Sequence, residues 1–370
     1  MKYLYYFVIF GALLSGCKNA QMNVQNNELT GLAHNFTKVQ IDVLHSDSTS
    51  IRAVDVAHNG VMYAGSEGHY GYFALGNSVK THKGDITPSI FTENGTGVVD
   101  YEGKKLAFRS IASTQKYFFI LSIESPALLY RITKESGAVQ LVYKEDHEKA
   151  FYDAMTFWND DEGIAMGDPT ENCLSIIITR DGGESWTKIP CADLPEVFEG
   201  EAAFAASDTN IKTIWDNTWI ASGGMKSRVF YSSDKGKTWT VYDTPIVQGA
   251  ATRGAYSMDF YDTDRGIIYG GDYTEPATNQ NNIVSTTDGG KTWNVIAAGN
   301  NQGYKSCVQY VPNSNGKELV ALGFTGISYS KDAGASWKEL SKESFLSFRF
   351  LNDSVAYAGG RNTFAKLTFN

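Results

Sequence analysis

Short apolar runs, rich in β-branched and aromatic residues and bounded by Gly, Asp and Asn, recur along nearly the whole chain. Such runs are the signature of strands joined by tight turns. In 105–143 they fall at 106–111, 117–123, 127–132 and 139–143, the dimensions of a four-stranded antiparallel unit. A second pattern is a strand, a turn holding Asn or Asp, and a small, apolar strand ending in Gly. It occurs from Phe157 to Asp168, Phe260 to Asp272, Phe350 to Gly360 and Val56 to Gly65. The same frame, without the turn signature, fits 202–224 and 308–323. First strands then start near residues 52, 108, 154, 202, 257, 307 and 347, which gives seven units. The last lacks an outer strand, because the chain stops at Asn370. Phe36-Thr-Lys-Val39 echoes Trp186-Thr-Lys-Ile189, so 36–44 is expected to complete the final unit and close a ring. Residues 76–104, Gly-rich and without periodicity, read as an insertion between the first and second units.

One phrase is written four times, as TRDGGESW from Thr179, SSDKGKTW from Ser232, TTDGGKTW from Thr286 and SKDAGASW from Ser330. Each follows a β-prone triplet and so reads as a hairpin turn. The Asp accepts backbone N–H groups, the Gly supplies a positive φ, and the Trp opens the outgoing strand with a ring to bury between units. The Asp residues fall at 181, 234, 288 and 332, intervals of 53, 54 and 44 residues, the size of one propeller blade.

These phrases resemble the Asp-boxes, or bacterial neuraminidase repeats, of sialidases, sortilin-type receptors and photosystem II stability/assembly-factor-like propellers. The regular texture over 36–370 is closest to the last of these. The resemblance implies an all-β fold, a single seven-bladed β-propeller of four-stranded antiparallel blades closed by its N-terminal strand. It makes Asp181, Trp186, Asp234, Trp239, Asp288, Trp293, Asp332 and Trp337 structural residues. One fold hosts many activities, so function has to be read from a site.

The N-terminus changes the picture of where the protein works. Lys2, an apolar run from Tyr3 to Leu14, and Leu14-Ser15-Gly16-Cys17 read as a signal peptide over 1–16 ending in a lipobox-like sequence, with Cys17 lipidated. Residues 17–35 read as a polar tether. The expectation is an exported bacterial lipoprotein, held in the cell envelope by its lipid alone and monomeric. Export permits disulfides, and Cys173 and Cys191 lie nine residues to either side of Gly182, so they face each other across the first box hairpin. Cys307 is left as a buried apolar residue.

With 41 acidic against 32 basic residues the net charge is −9, which argues against a nucleic-acid partner. No Cys/His metal motif, phosphate loop or dinucleotide fingerprint appears, so neither metal nor cofactor is expected.

Candidate chemistry gathers at one end of the axis. If strands run outward from the axis, the Asp-boxes lie on the face opposite the expected ligand mouth, where the innermost strands begin. Those starts place Arg52, Arg109, Asp153, Glu201 and Tyr256 together, with Arg253, His69, Asp168, Asp272 and Arg361 from neighbouring loops. Guanidinium groups there suit a carboxylate or another anion. Alternatively, Arg52, Arg109, Asp153 and Glu201 neutralise one another as a plug. Two functions follow. One is a non-catalytic module binding an envelope protein or a small anionic ligand, a sugar among the possibilities. The other, implied by likeness to sialidases, is a glycoside hydrolase acting on an anionic sugar. That casts Arg52, Arg109 and Arg253 or Arg361 as the arginine triad, Tyr256 as nucleophile with Glu201 behind it, and Asp153 as acid/base. The Phe-Arg-Ile-Pro element of those enzymes is absent, and Phe108-Arg109-Ser110 stands in its nearest likeness.

Overall fold

The computed structural model describes residues 34–57, 60–75, 79–80, 86–87 and 94–370. Cys17, the signal peptide and most of the tether lie outside the described residues. Seven four-stranded antiparallel sheets stand around an axis. Their innermost strands are Ile51–Ala57, Phe108–Ser113, Tyr152–Phe157, Ile211–Ile214, Arg253–Phe260, Cys307–Tyr310 and Ser347–Phe350, of blades I to VII. Each packs on the next, and the seventh returns to the first. Among the described residues the only helical pieces are two single turns, Ser66–Gly68 and Cys191–Asp193.

The second strands explain the apolar runs. Gly163–Gly167 and Leu319–Gly323 are buried throughout, and their counterparts Tyr117–Ser122, Asn217–Ala221 and Val355–Gly360 are buried but for the first residue, because a neighbouring blade covers each face. Side chains therefore need no polar alternation, and the small residues let blades approach at about the usual 10 Å sheet spacing.

The ring closes as its ends suggest. Val39–His45 pairs antiparallel with Thr363–Phe369, Val39 opposite Phe369, and so supplies the outer strand of blade VII. Phe36 adds an apolar anchor, its ring 5.0 Å from Tyr329 of blade VI and 5.4 Å from Phe369.

All four repeated turns share one hydrogen-bond pattern. In blade V, Asp288 Oδ1 accepts the N–H of Lys291 (3.1 Å) and of Thr292 (2.9 Å), while Oδ2 accepts the Thr292 hydroxyl at 2.7 Å. Burial alone would raise the pKa of this carboxyl, but these bonds outweigh it and bring it down to about 2. Asp234 behaves in the same way. Three of the Trp indoles, those of Trp239, Trp293 and Trp337, donate to the carbonyl of the turn's own Gly. Trp186 finds no acceptor and instead packs edge-on against Phe119 and Phe157. Gly183 is obligatory in that turn: its φ is +80°, and a Cβ would lie 2.3 Å from the Phe119 ring of blade II.

Cys173 and Cys191 are joined by a disulfide with Cα atoms 5.5 Å apart, tying the approach to the third strand of blade III to the segment after its outer strand. Cys307 is free and buried.

Two expectations need correction. The stretch 76–104 is not wholly an insertion, since Gly95–Val98 is the outer strand of blade I. Gly95 and Gly97 face Tyr72 and Tyr70, whose rings fill the space a side chain would take, so the strand lacks the usual β-formers. The fourth innermost strand is 211–214 rather than a strand at 202. Glu201–Ala202 pairs with Gly223–Gly224 as an addition to the inner edge of blade V, and the chain between Ala203 and Asn210 crosses the axis.

Candidate functional site

The crossing segment plugs the ring, and its polar residues explain why. Ser207 donates to Ser306 O at 2.6 Å and accepts at its carbonyl from the Ser347 hydroxyl at 2.9 Å. Asp208 accepts the N–H groups of Ile111 (3.0 Å) and Met155 (2.9 Å), and Arg349 donates to its carbonyl at 2.7 Å. Thr209 donates to Ser257 at 2.8 Å. Arg52 and Arg109 donate to Ala206 O and Ala205 O, each at 3.2 Å. One loop of blade IV is thus bonded to all six other blades. Burial raises the Asp208 carboxyl to about 8, against the opposing effect of Arg349 and the two N–H groups.

On the face where innermost strands begin, the sequence-derived candidates separate into groups. Arg52, Arg109 and Arg361 form a cluster of cations. Burial and then the Arg109 charge bring the Arg52 guanidinium down to about 10, with Arg361 adding to the effect. The arginine ion pairs among the described residues belong to Arg131, Arg180, Arg228, Arg253, Arg265 and Arg349. The three clustered arginines take part in none. Asp153 lies near Arg109 and is fully buried, and the Asp168 N–H that approaches its carboxyl is donated to Phe151 O at 2.8 Å. Burial, reinforced by Asp168, holds its pKa well above the usual carboxylate range, and Arg109 only partly opposes this. Asp168 accepts the Ala203 N–H at 2.7 Å and is itself raised to about 6 by burial.

Glu201 is elsewhere. Its carboxylate is gripped by Arg228, with Nη2 to Oε2 at 2.6 Å and Nε 3.0 and 3.1 Å from the two oxygens, and it accepts from Ser222 and from the Phe198 N–H. Glu201 therefore does not open an innermost strand at the mouth, and the four-residue neutralised set does not form. The apolar run after Glu201 resembles a strand start in sequence, but Glu201–Ala202 pairs instead with Gly223–Gly224. Tyr256 stacks on Phe204 with centroids 3.9 Å apart and donates its hydroxyl to Thr252 O at 2.8 Å. The Tyr256–Glu201 contact that a sialidase-like nucleophile needs is therefore not made. Arg253 pairs with Asp272 at 3.0 Å. Although burial acts to raise it, Asp272 falls to about 2 through bonds from Thr274 and Arg253. His69 is half-exposed, 3.9 Å from Asp47.

The opposite end of the axis was not anticipated. There the innermost strands finish, and a funnel of about 760 Å³ opens on the same side as the four Asp turns. Among its lining residues are Asp55, Lys212, Asp259, Gln309 and Trp215. The one sequence signal for it was Trp215, a Trp outside the repeated phrase and set in a hairpin turn. Nothing in sequence marked Asp208 or Arg349, whose partners lie on remote blades.

Comparison with known proteins follows from this geometry. Residues 174–319 match the family model described as Sortilin, neurotensin receptor 3. No curated protein matches the sequence. Among solved structures, YCF48 bound to D1 peptide superposes with a TM-score of 0.61 at 11% identity, over 91% of this chain and 99% of that one. YCF48 from Cyanidioschyzon merolae gives 0.59 at 11% identity, over 90% and 98%. U3-55K gives 0.57 at 11% identity, again over 90% and 98%. The family match and the fold agree with a β-propeller of the Asp-box kind.

Proposed function

We propose that this protein is a non-catalytic binding module that captures an anionic group, on a small ligand or a partner protein, at the Arg52–Arg109–Arg361 cluster. The observation that carries this reading is three guanidiniums gathered at one mouth with no ion-pair partner among the described residues. Like charges brought together in a partly buried place are costly, and an anion relieves that cost while accepting bidentate hydrogen bonds. A peptide-bound propeller of the same fold supports a protein partner. We propose also that the module is held in the cell envelope by a lipid on Cys17, a reading supported by the apolar run and Leu14-Ser15-Gly16-Cys17.

Thermal shift and calorimetry against citrate, sialic acid and an acidic peptide test the site. Arg361 is exposed and bonds no plug carbonyl, so Arg361→Ala is expected to weaken anion binding about tenfold, in line with losing a charge-assisted contact, without lowering Tm. Equal binding by wild type and Arg361→Ala would refute the site. For the anchor, Cys17→Ser is expected to abolish partitioning into detergent, and wild-type protein that stays in the aqueous phase would count against it.

A further inference from the structure

The funnel at the other end of the axis is a built cavity with its own chemistry. Its backbone donors are already engaged. The N–H of Tyr310 goes to Asp259 Oδ2 at 2.8 Å, that of Phe350 to Gln309 Oε1 at 3.1 Å, and those of Ile111 and Met155 to Asp208. A guest that adds a strand to a sheet edge needs free backbone groups, and here side chains occupy them. What remains for a ligand is side-chain chemistry: the second oxygen of Asp55, whose first accepts from Ser113 at 2.6 Å, and the Gln309 amide nitrogen, unpartnered among the described residues.

Three carboxyl groups line the funnel, Asp55, Asp208 and Asp259, against Lys212 and Arg349, and with Asp208 raised by burial the charged groups stand two against two. Lys212 Nζ lies 2.6 Å from Asp259 Oδ1, and Arg349 stands 3.7 Å from Asp208. Neither an anion nor a cation is favoured, whereas an uncharged guest rich in hydroxyls finds donors and acceptors side by side.

The rim supplies the apolar element. Trp215 is 82% exposed, although a ring of this size is ordinarily covered. Ile214 pairs with Asn217, so Trp215 is the first residue of a two-residue hairpin turn, and its φ is +59°. Hairpins give that position to Gly, Asn or Asp, and a bulky residue there is strained. Neither burial nor turn geometry accounts for a Trp at this point. Strain kept in place at a cavity mouth points to a contact made by the ring itself.

We propose that the funnel is a second binding site, for a neutral, hydroxyl-rich sugar ring that stacks on Trp215 and hydrogen-bonds to Asp55, Gln309 and the remaining ammonium hydrogens of Lys212. The site is independent of the anion cluster, which lies across the plug on the other face. An aromatic plane covers the C–H face of a pyranose, and a carboxylate or amide spans neighbouring hydroxyls with its paired polar atoms.

Calorimetry of the full chain against maltotriose, cellotriose, mannotriose and chitotriose tests it. At least one is expected to bind at millimolar concentration or below, with Trp215→Gly weakening it tenfold or more while Tm holds or rises, since Gly relieves the positive φ. Asp55→Asn, which can still accept from Ser113, is expected to weaken the same sugar, and Arg361→Ala to leave its affinity unchanged. If all four neutral sugars are silent against folded wild-type protein, the inference is overturned. It is equally overturned if Trp215→Gly binds as well as wild type, if Arg361→Ala abolishes binding, or if Trp215 proves to be required for a peptide and for none of the sugars.

Discussion

Carboxyl groups in this protein fall into two populations, and the difference is their hydrogen-bond supply. Asp234 and Asp288 accept three or more bonds at exposed turns and stay ionised down to about pH 2. Asp153 and Asp208 are buried and Asp168 is half-buried near the axis, and all three are shifted upward, Asp168 to about 6 and Asp208 to about 8. A carboxyl raised on folding gives stability that is fully present below its unfolded pKa and is lost as pH rises through the folded value. Melting temperature is therefore expected to fall as pH is raised from about 5 to about 7 through Asp168 and Asp208, below the range where the buried lysines Lys134 and Lys305, lowered to about 7 and about 8, begin to restore stability. The depressed turn carboxylates have the opposite sign and withdraw stability only as pH falls through about 2 to 4. Asp208→Asn should flatten the upper slope in a pH series of thermal melts, even if the variant is less stable throughout. A wild-type Tm that rises steadily between pH 5 and 7 would contradict the assignment. None of this was legible in sequence, where Asp208 is an unmarked residue in 203–210 and its backbone donors, Ile111 and Met155, lie 97 and 53 residues away.

At the scale of the element, the repeated turn was the clearest signal because everything it needs is local. Thr286, Asp288, Gly290, Thr292 and Trp293 bond within one eight-residue phrase. Asp288→Ala leaves several of those donors without a partner and is expected to cost about 2 kcal/mol, the range for bonds to a charged acceptor. Denaturant melts would measure it, and binding at either end of the axis should be untouched because the turn lies on the outer part of blade V. A loss below about 0.5 kcal/mol would mean that water replaces the carboxylate freely. The Cys173–Cys191 pairing was legible for the same reason, as symmetric placement about a local hairpin. Blade IV departs from its sequence pattern although that pattern is locally sound. Apolar residues around 202–206 look like a strand, but the bonds that decide the conformation come from six other blades.

For the molecule as a whole, ring closure was readable from the unpaired last blade and the echo at Phe36. The orientation of its cavity was not. The expected mouth is stoppered by the 203–210 crossing, leaving a shallow guanidinium cluster outside the plug, and the open volume lies on the Asp-turn side. A propeller whose axis is blocked in the middle presents two separate surfaces, and the proposed anion site is on the stoppered one. The most direct test is anomalous diffraction from crystals soaked in bromoacetate, a carboxylate that carries its own marker. Bromine density is expected beside Arg52, Arg109 and Arg361, and is expected to be lost in Arg361→Ala crystals of the same form. Density found only in the funnel, or none at the three arginines in the wild type at saturating bromoacetate, would contradict it.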